Sequence, residues 1–376
     1  MEFRDLKKQY QTLKQDIDEA VSRVMCNANF ISGAEVLELE EQLANYVGVK
    51  HCITCGNGTD ALVLALQAMQ VKQGDAVFVP DFTFFASAEA PAICGATPVF
   101  VDVEADTYNM SAVSLENAIQ KVLEEGKLQP KVIIAVDLFG QPADYIAIRE
   151  IATKYDLLIL EDAAQGFGGM IGDKRACSFG DIATTSFFPA KPLGCYGDGG
   201  AVFTDRKDWA ETIRSLRIHG KGKDKYDNVR IGMNSRLDTM QAAILQVKLK
   251  AFKEYELKQV NEVALHYTEL LKDVVKVPVI REGFSSSWAQ YTIQLKDEQQ
   301  RDEVQRKLKE NGIPSMVYYK KAMHEQKAFG KEVIMVDVYD NYNTNMLTKT
   351  VLSIPISSYI TRKEQQILSK VIMELQ

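Results

Sequence analysis

The stretch Ser186-Phe-Phe-Pro-Ala-Lys191-Pro-Leu-Gly-Cys-Tyr-Gly-Asp-Gly-Gly200 contains one lysine among small residues, followed by a glycine-rich turn. The run that comes next, Ala201-Val-Phe-Thr204, has the composition of a β-strand. The glycines allow the backbone to turn tightly and to lie close to a flat ligand. Lys191 is therefore a candidate to form a Schiff base with a carbonyl cofactor, although an isolated lysine is more often a solvated charge. The rest of the chain has to decide between these interpretations.

Short apolar runs alternate with helical patterns on the N-terminal side of this stretch. The runs are Cys52–Thr54, Ala76–Pro80, Thr97–Val101, Lys131–Val136, Leu157–Leu160 and Ala183–Phe187. This alternation predicts βαβ units, a mainly parallel sheet and a three-layer α/β/α domain. Ligands bind such sheets at the carboxyl ends of the strands. Two amphipathic helices, over 1–26 and from Val36 to Val47, are predicted to precede the sheet.

A long helical pattern separates this region from the C-terminal part of the chain. It begins at Leu237 and continues, less regularly, to about Leu271. Beyond it, Trp288–Leu295 is predicted as a strand and Arg301–Asn311 as a helix, which favours a smaller α+β domain. The chain has 376 residues, which exceeds the length that a single hydrophobic core usually serves. We therefore expect two domains, 1–245 and 246–376.

Charge and composition exclude several classes of protein. The net charge is −7 and no long basic run is present, which argues against binding to nucleic acid or to an anionic membrane. The N-terminus is charged from the start, unlike a secretory signal, and no apolar run reaches the length of a membrane span. Six scattered cysteines suggest reduced thiols in the cytoplasm. Cys52 and Cys55 lack a second pair of ligands, so no metal site is expected.

Two motifs follow predicted strands. In Cys55-Gly-Asn-Gly58-Thr59-Asp60, a strand leads through glycines into a helix whose free N–H groups can bind an anion. A plain helix cap by Thr59 or Asp60 explains the same residues equally well. In Leu157-Leu-Ile-Leu-Glu161-Asp162-Ala-Ala-Gln165, the strand delivers a carboxylate that can pair with a protonated pyridine nitrogen, with Gln165 near the phenolic oxygen. Without Lys191, an N-cap role for Asp162 would be preferred.

Two further stretches have weaker signals. An aromatic residue in Pro80-Asp-Phe-Thr-Phe84-Phe-Ala-Ser87 can stack on a flat ring, although aromatics there are more often core. In the polar region from Arg217 to Asp238, Arg236 can bind a carboxylate with two hydrogen bonds and the loop cations can meet a diphosphate. The alternative is a solvated loop capped by Asn234 or Ser235.

The four motifs, in this order, resemble the DegT/DnrJ/EryC1/StrS family over nearly the whole chain. They are Gly-Asn-Gly-Thr-Asp-Ala-Leu at 56–62, Glu-Asp-Ala-Ala-Gln at 161–165, Ser-Phe-Phe-Pro-x-Lys at 186–191 and Asn-Ser-Arg-Leu-Asp-x-x-Gln-Ala-Ala at 234–243. The family consists of pyridoxal-phosphate-dependent sugar aminotransferases with the aspartate-aminotransferase fold, fold type I. The resemblance implies that Lys191 holds pyridoxal 5'-phosphate as a Schiff base. It also implies that Asp162 pairs with the pyridine nitrogen, Gln165 with the phenolic oxygen, and that Phe84 stacks on the ring.

The resemblance further implies a homodimer with shared active sites. Gly58, Thr59, the backbone of Asp60, and Ser186 are expected to hold the cofactor phosphate. Asn234 is expected to reach the phosphate in the other subunit of the dimer.

Glutamate usually supplies the amino group to a 3- or 4-keto nucleotide sugar in this family. The stretch 186–201 looks closest to the branch that acts on UDP-2-acetamido-2-deoxy-3-keto-glucuronate. The sequence departs from that branch at Lys320 and Lys321, which stand where the branch tends to have prolines. We expect both lysines to lie in solvent rather than on the sugar. The candidate substrate-binding residues are His219, Arg230, Arg236, Tyr318 and Tyr319.

Three other functions fit the motifs less well. One is an aminotransferase for a dTDP-linked 3- or 4-keto-6-deoxy sugar. The second is the family's dehydratase branch, which has histidine in place of Lys191. The third is a non-catalytic regulator, but no DNA-binding module is recognisable and the net charge is negative.

Overall fold

The computed structural model describes residues 1–224, 226–330 and 342–375. The helices are α1 (Leu6–Asn27), α2 (Ala34–Val47), α3 (Gly58–Ala68), α4 (Phe85–Ile93), α5 (Ala112–Glu125), α6 (Tyr145–Tyr155), α7 (Lys207–Leu216), α8 (Thr239–Ala251), α9 (Leu257–Leu271), α10 (Glu298–Glu310), α11 (Tyr342–Thr350) and α12 (Arg362–Met373). The strands are β1 (His51–Cys55), β2 (Asp75–Pro80), β3 (Thr97–Val101), β4 (Gln129–Val136), β5 (Leu158–Asp162), β6 (Met170–Ile171), β7 (Lys174–Arg175), β8 (Ile182–Ser186), β9 (Gly200–Thr204), β10 (Phe284–Ser285), β11 (Tyr291–Gln294) and β12 (Val351–Ile354).

The central sheet has seven strands in the order β1-β9-β8-β5-β4-β2-β3. Neighbouring strands from β3 to β8 pair in parallel, whereas β9 runs antiparallel to both β8 and β1. The prediction of a mainly parallel sheet is therefore confirmed. Small sheets add β10-β6-β7 and the antiparallel pair β11-β12.

Helices cover both faces of the central sheet, and the residues of β2 show why. Val77 and Val79 point to a core that contains the apolar side chains of α3, whereas Ala76 and Phe78 point to a core formed with α5 and α6. Successive side chains of a strand face opposite sides, so a strand covered on both sides is apolar at every position. This is why β2 reads as a continuous apolar run in the sequence.

The long helix predicted from Leu237 to about Leu271 is interrupted by one π-helical turn, Phe252–Glu256, between α8 and α9. Before the turn, α8 packs on α1 and α2. After it, the buried side chains of α9 join a separate C-terminal core with β11, β12 and α12. The boundary at 245/246 remains a prediction, and the packing favours a position a few residues later, in the turn.

The strand predicted over Trp288–Leu295 is shorter in the structure, where β11 covers Tyr291–Gln294. Trp288 has a φ of 52° and is not extended.

Within the described ranges, no helix combines the length and apolar character needed to cross a membrane.

Strand register brings the motif residues to one edge of the central sheet. Asp162 at the end of β5 lies opposite Val136 on β4 and Thr184 on β8. Gly200 at the start of the antiparallel β9 lies opposite both Ser186 and Cys55, the last residues of β8 and β1. The carboxyl ends of the parallel strands therefore meet at this edge, as the sequence predicts.

Candidate active site

A cavity of about 880 Å³ opens at this edge of the sheet. It contains most of the predicted site residues, namely Gly58, Thr59, Phe84, Asp162, Gln165, Ser186, Lys191, Tyr318 and Tyr319. Ser87, Gln290 and the two lysines Lys320 and Lys321 also line it. One chain thus brings together residues that lie more than a hundred positions apart.

The floor of one end of the cavity is the N-terminus of α3. Asn57 is the N-cap, because its side-chain oxygen accepts a hydrogen bond of 2.8 Å from the amide of Asp60. The cap is therefore Asn57 and not Thr59 or Asp60, and the Asp60 amide is already bonded within the chain. The amides of Gly58 and Thr59 belong to the first helical turn, where no acceptor within the helix is available. They can donate to an anion, in line with the helix dipole.

A tight contact closes this end of the cavity. A Cβ atom at Gly58 would lie 2.8 Å from the Cβ of Ser186, and a Cβ at Gly200 would collide with the carbonyl oxygen of Asn57. Neither glycine has a positive φ, so each is required by the close approach of two backbones and not by a special turn conformation. The Thr59 and Ser186 side chains line the same part of the cavity.

Asp162 lies buried at the end of β5. Its Oδ2 accepts a hydrogen bond of 2.7 Å from the hydroxyl of Ser87, and its Oδ1 accepts one of 3.2 Å from the amide of Ala164. Burial raises the pKa of Asp162, while the Ser87 bond and the charge of Lys191 act in the opposite direction. The carboxylate is thus placed and partly stabilised to face a cation.

Gln165 is held in a fixed orientation beside Asp162. Its Oε1 accepts the Phe139 amide at 2.8 Å, and its Nε2 donates to the hydroxyl of Tyr319 at 3.1 Å. Because the oxygen is occupied by a backbone donor, the amide nitrogen faces the cavity. It can donate its second hydrogen to an acceptor there.

Phe84 provides an aromatic face at the cavity. It is 53% exposed, although its neighbour Phe82 is buried in the core, and its ring centroid lies 6.4 Å from that of Tyr319. An exposed ring on a cavity wall is available for stacking, whereas Phe82 is not.

Lys191 lies in the same cavity, in the turn that follows β8. Burial lowers the pKa of Lys191, the charge of Asp162 partly opposes this shift, and the nearby Arg4 guanidinium adds to it. A lysine with a lowered pKa is a better nucleophile and proton carrier near neutral pH. The sequence singles out Lys191, but only the structure shows the influence of Arg4.

Four predicted residues lie outside the cavity of their own chain, on the loop between α7 and α8: His219, Arg230, Asn234 and Arg236. His219, Arg230 and Asn234 are exposed. Arg236 is half-buried and donates a hydrogen bond of 2.6 Å to the side-chain oxygen of Asn234. These residues do not complete the site within a single chain, and their roles remain predictions.

Ser235 anchors this loop to the start of α3. Its hydroxyl accepts from the Gly56 amide at 2.8 Å and donates to the Asp60 carboxylate at 2.6 Å. The side chain of Asp60 therefore binds the loop and does not line the cavity. The sequence contains the pattern Asn-Ser-Arg, but its link to Asp60 spans 175 positions and needs the fold to be seen.

His324 anchors the segment that includes Tyr318 and Tyr319. Its Nδ1 lies 2.6 Å from Oδ2 of the buried Asp81, and its amide donates to Oδ1 of the same carboxylate at 2.9 Å. The bond to Asp81 raises the pKa of His324. Sequence reasoning missed this pair, as it missed Ser87.

Among the described residues, no group of three or more His, Cys, Asp and Glu side chains is placed to hold a metal ion.

Comparison with known proteins identifies relatives over the whole length. The DegT/DnrJ/EryC1/StrS aminotransferase family model matches residues 11–373. A UDP-2-acetamido-2-deoxy-3-oxo-D-glucuronate aminotransferase of Pseudomonas aeruginosa is 44% identical over 361 residues, 96% of each chain. A pleiotropic regulatory protein of Geobacillus stearothermophilus is 40% identical, over 98% of this chain and 97% of the relative. A UDP-N-acetyl-3-dehydro-alpha-D-glucosamine 3-aminotransferase of Acidithiobacillus ferrooxidans is 38% identical, over 87% and 86%.

Solved structures agree with these matches. An aminotransferase of the same family from Brucella abortus is 46% identical, with a TM-score of 0.96 over 100% of this chain and 99% of that chain. The Bacillus subtilis protein NtdA, with bound cofactor PMP, is 27% identical, with a TM-score of 0.86 over 97% and 82%. The predicted α/β fold of the aspartate-aminotransferase type is confirmed.

Proposed function

Because the chain belongs to the DegT/DnrJ/EryC1/StrS aminotransferase family, we propose that it transfers an amino group from L-glutamate to a UDP-linked 3-keto sugar, an N-acetylated uronate. It is a pyridoxal-phosphate-dependent aminotransferase of nucleotide sugars. The observation that carries the aminotransferase chemistry is the meeting of Lys191, Asp162 and Gln165 in one cavity, and the acceptor rests on other observations. We place the enzyme in the cytoplasm, in the synthesis of cell-surface glycans; its free cysteines support the location.

The cavity fits the cofactor at each of its functional groups. The first-turn amides of α3, with the hydroxyls of Thr59 and Ser186, form an anion site of the kind that phosphate needs. The absence of a side chain at Gly58 keeps the two walls of that site together. Asp162 supplies a carboxylate for the ring nitrogen and Gln165 an amide donor for the phenolic oxygen. The exposed face of Phe84 is available to the ring.

When bound, the cofactor supplies an electron sink for the carbon atom that loses its proton. Lys191 then has two roles, first as the amine that attaches the cofactor and later as a base and acid. Its Nζ would take the proton from one carbon atom of the bound substrate and return it to another, and burial, by lowering the pKa of Lys191, favours the neutral amine that accepts this proton. With the cofactor bound, Asp162 would stabilise the proton on the ring nitrogen, and Ser87 orients Asp162 through its hydrogen bond.

Lys191→Ala tests this assignment directly. The variant should lose the visible absorbance of the attached cofactor and all turnover, while far-UV circular dichroism stays unchanged. Turnover at the wild-type rate would contradict the proposed mechanism.

The acceptor is inferred from the stretch 186–201 and from the 44% identical relative that acts on a UDP-linked 3-oxo uronate. Arg230 and Arg236 are candidates for the carboxylate of the uronate or of glutamate, because a guanidinium binds a carboxylate through two hydrogen bonds. Tyr318 and Tyr319 line the cavity and are candidates for the sugar.

The homodimer with shared sites is supported by the surface of the loop between α7 and α8. Tyr226 is 85% exposed, Val229 54% and Ile231 93%, and a cluster of exposed apolar side chains is typical of an interface. On the same loop, Asn234 and Arg236 are held together but do not reach the cavity of their own chain. We infer that they enter the cavity of the other subunit.

The acceptor is tested by the reverse reaction, with 2-oxoglutarate and chemically defined 3-amino sugars. The UDP-linked uronate should be used with a kcat/KM about tenfold or more above that of the UDP-linked neutral hexose, as one charge-assisted hydrogen bond allows. Equal efficiency on the two sugars, or a preference for a dTDP-linked 6-deoxy sugar, would refute the uronate and leave the aminotransferase activity in place.

A further inference from the structure

Two neighbouring lysines lie at the mouth of the cavity. Lys320 and Lys321 are both exposed to solvent and both line the cavity wall. They directly follow Tyr318 and Tyr319, which also line the cavity, and the hydroxyl of Tyr319 accepts a hydrogen bond from Gln165. Both lysines are therefore accessible to solvent and to a ligand in the cavity.

The backbone around these lysines is firmly held. On the C-terminal side, the amide of Met323 donates to the Asp81 carbonyl at 2.9 Å, and His324 binds the Asp81 carboxylate through its amide and its ring. The amide of Ala322 donates to the carboxylate of Glu325 at 3.1 Å. Since Asp81 directly follows β2, the bonds from Met323 and His324 attach the residues just after the lysines to the sheet edge that contains the cavity. The lysines thus directly precede a segment whose backbone is hydrogen-bonded to the sheet edge.

The described acidic residues around the cavity do not pair with the two lysines, so both lysines are available to bind an anionic ligand. Asp162 and Asp198 are its acidic lining residues, and Asp162 lies at the inner end within the influence of Lys191. Within the part of the chain that the structure describes, neither Lys320 nor Lys321 forms an ion pair. Both side chains are positively charged, so together they attract an anion that enters the cavity.

Building on the proposed nucleotide-sugar acceptor, we propose that Lys320 and Lys321 bind an anionic group of that acceptor, either its diphosphate or a uronate carboxylate. Lysine acts as a point charge with three rotatable donors, so it suits an anion at the edge of a site better than a planar, fixed contact. The lysine pair would then select charged acceptors and increase their local concentration at the cavity mouth.

Binding of unreactive ligands to the holoenzyme tests this inference. UDP-glucose and UDP-glucuronate share the diphosphate and differ in the carboxylate, and isothermal titration calorimetry gives Kd for each. The test variant is Lys320→Ala/Lys321→Ala. The control is Lys363→Ala/Lys370→Ala, which removes the same charge from exposed positions of α12. Lys320→Arg/Lys321→Arg keeps the charge and should restore most of the affinity.

We expect the test variant to bind about tenfold more weakly at low salt, with a smaller difference at 1 M salt because exposed charges are screened. Equal weakening for both ligands assigns the lysines to the diphosphate, and weakening for UDP-glucuronate alone assigns them to the carboxylate. Unchanged Kd values for both ligands, or equal weakening in the control variant, would overturn the inference while the proposed function stands. If the wild-type holoenzyme binds neither ligand, the proposed UDP-linked acceptor fails and the lysine inference fails with it.

Discussion

Ser87→Ala removes a single hydroxyl from beneath the predicted cofactor site. Ser87 and Asp162 are 1% and 4% exposed, and the hydroxyl donates to Oδ2 of Asp162 at 2.7 Å. This bond stabilises the charged form of the carboxylate against the effect of burial, which raises the pKa of Asp162. Without the hydroxyl, the pKa of Asp162 should rise further, and the carboxylate should lose charge at a higher pH than in the wild type.

The size of the effect follows from the burial and length of the bond. A hydrogen bond to a charged group contributes about 1.5–3 kcal/mol, which corresponds to roughly 10- to 150-fold in an equilibrium constant. Because the charged carboxylate is the form that pairs with a protonated ring nitrogen, we expect the Kd of pyridoxal phosphate to increase by up to about this factor at the acid end of a pH series. The increase should become smaller at higher pH, where Asp162 is ionised in both proteins.

Spectrophotometric titration of the apoenzyme with the cofactor, repeated across a pH series, measures this Kd. The acid limb of the pH profile of kcat/KM should move to higher pH in the variant. Ser114→Ala is the control, because its hydroxyl accepts the Asp102 amide at 3.0 Å and lies outside the cavity. If Ser87→Ala and Ser114→Ala both leave the Kd and the acid limb unchanged, Ser87 does not position Asp162 for the cofactor.

Three further predictions concern the anion site at the N-terminus of α3, the dimer and the segment that His324 holds. Gly58→Ala should lower stability by ~1–3 kcal/mol and weaken cofactor binding, because the new Cβ would lie 2.8 Å from that of Ser186. Adding Ser186→Gly should restore the melting temperature but not the cofactor Kd, and a Gly58→Ala variant with wild-type values for both would contradict this packing. Mixed dimers of Asn234→Ala and Lys191→Ala should regain activity, since one site of each hybrid is intact; hybrids that form without activity would show that each site belongs to one chain. The hydrogen bond to Asp81 raises the pKa of His324 above its ordinary value of 6.5. The contribution of this pair to the free energy of unfolding is therefore complete below pH ~6.5, and it is lost as the pH rises through the pKa of His324 in the folded protein. The melting temperature of the wild type should therefore fall across that window relative to His324→Gln, and parallel curves for the two proteins would rule out the pairing.

The amino-acid sequence by itself was enough to predict the layered architecture, the family and its cofactor. Apolar runs that alternate with helical patterns report local conformation and burial, and these depend mainly on neighbouring residues. The strands predicted at 76–80, 97–101 and 131–136 could be located in this way, and the four motifs, taken in order, were sufficient to indicate the family.

Only the tertiary structure decided which side chains meet. The antiparallel direction of β9 is invisible in its apolar pattern, because direction depends on the path of the chain and not on the strand itself. Ser87 lies 75 positions from Asp162, and Asp81 lies 243 positions from His324. Such pairs arise when the sheet order places distant strand ends side by side, which no local periodicity encodes. Four residues could be chosen as site residues from their types alone, namely His219, Arg230, Asn234 and Arg236. Only the fold showed that they lie outside the cavity of their own chain.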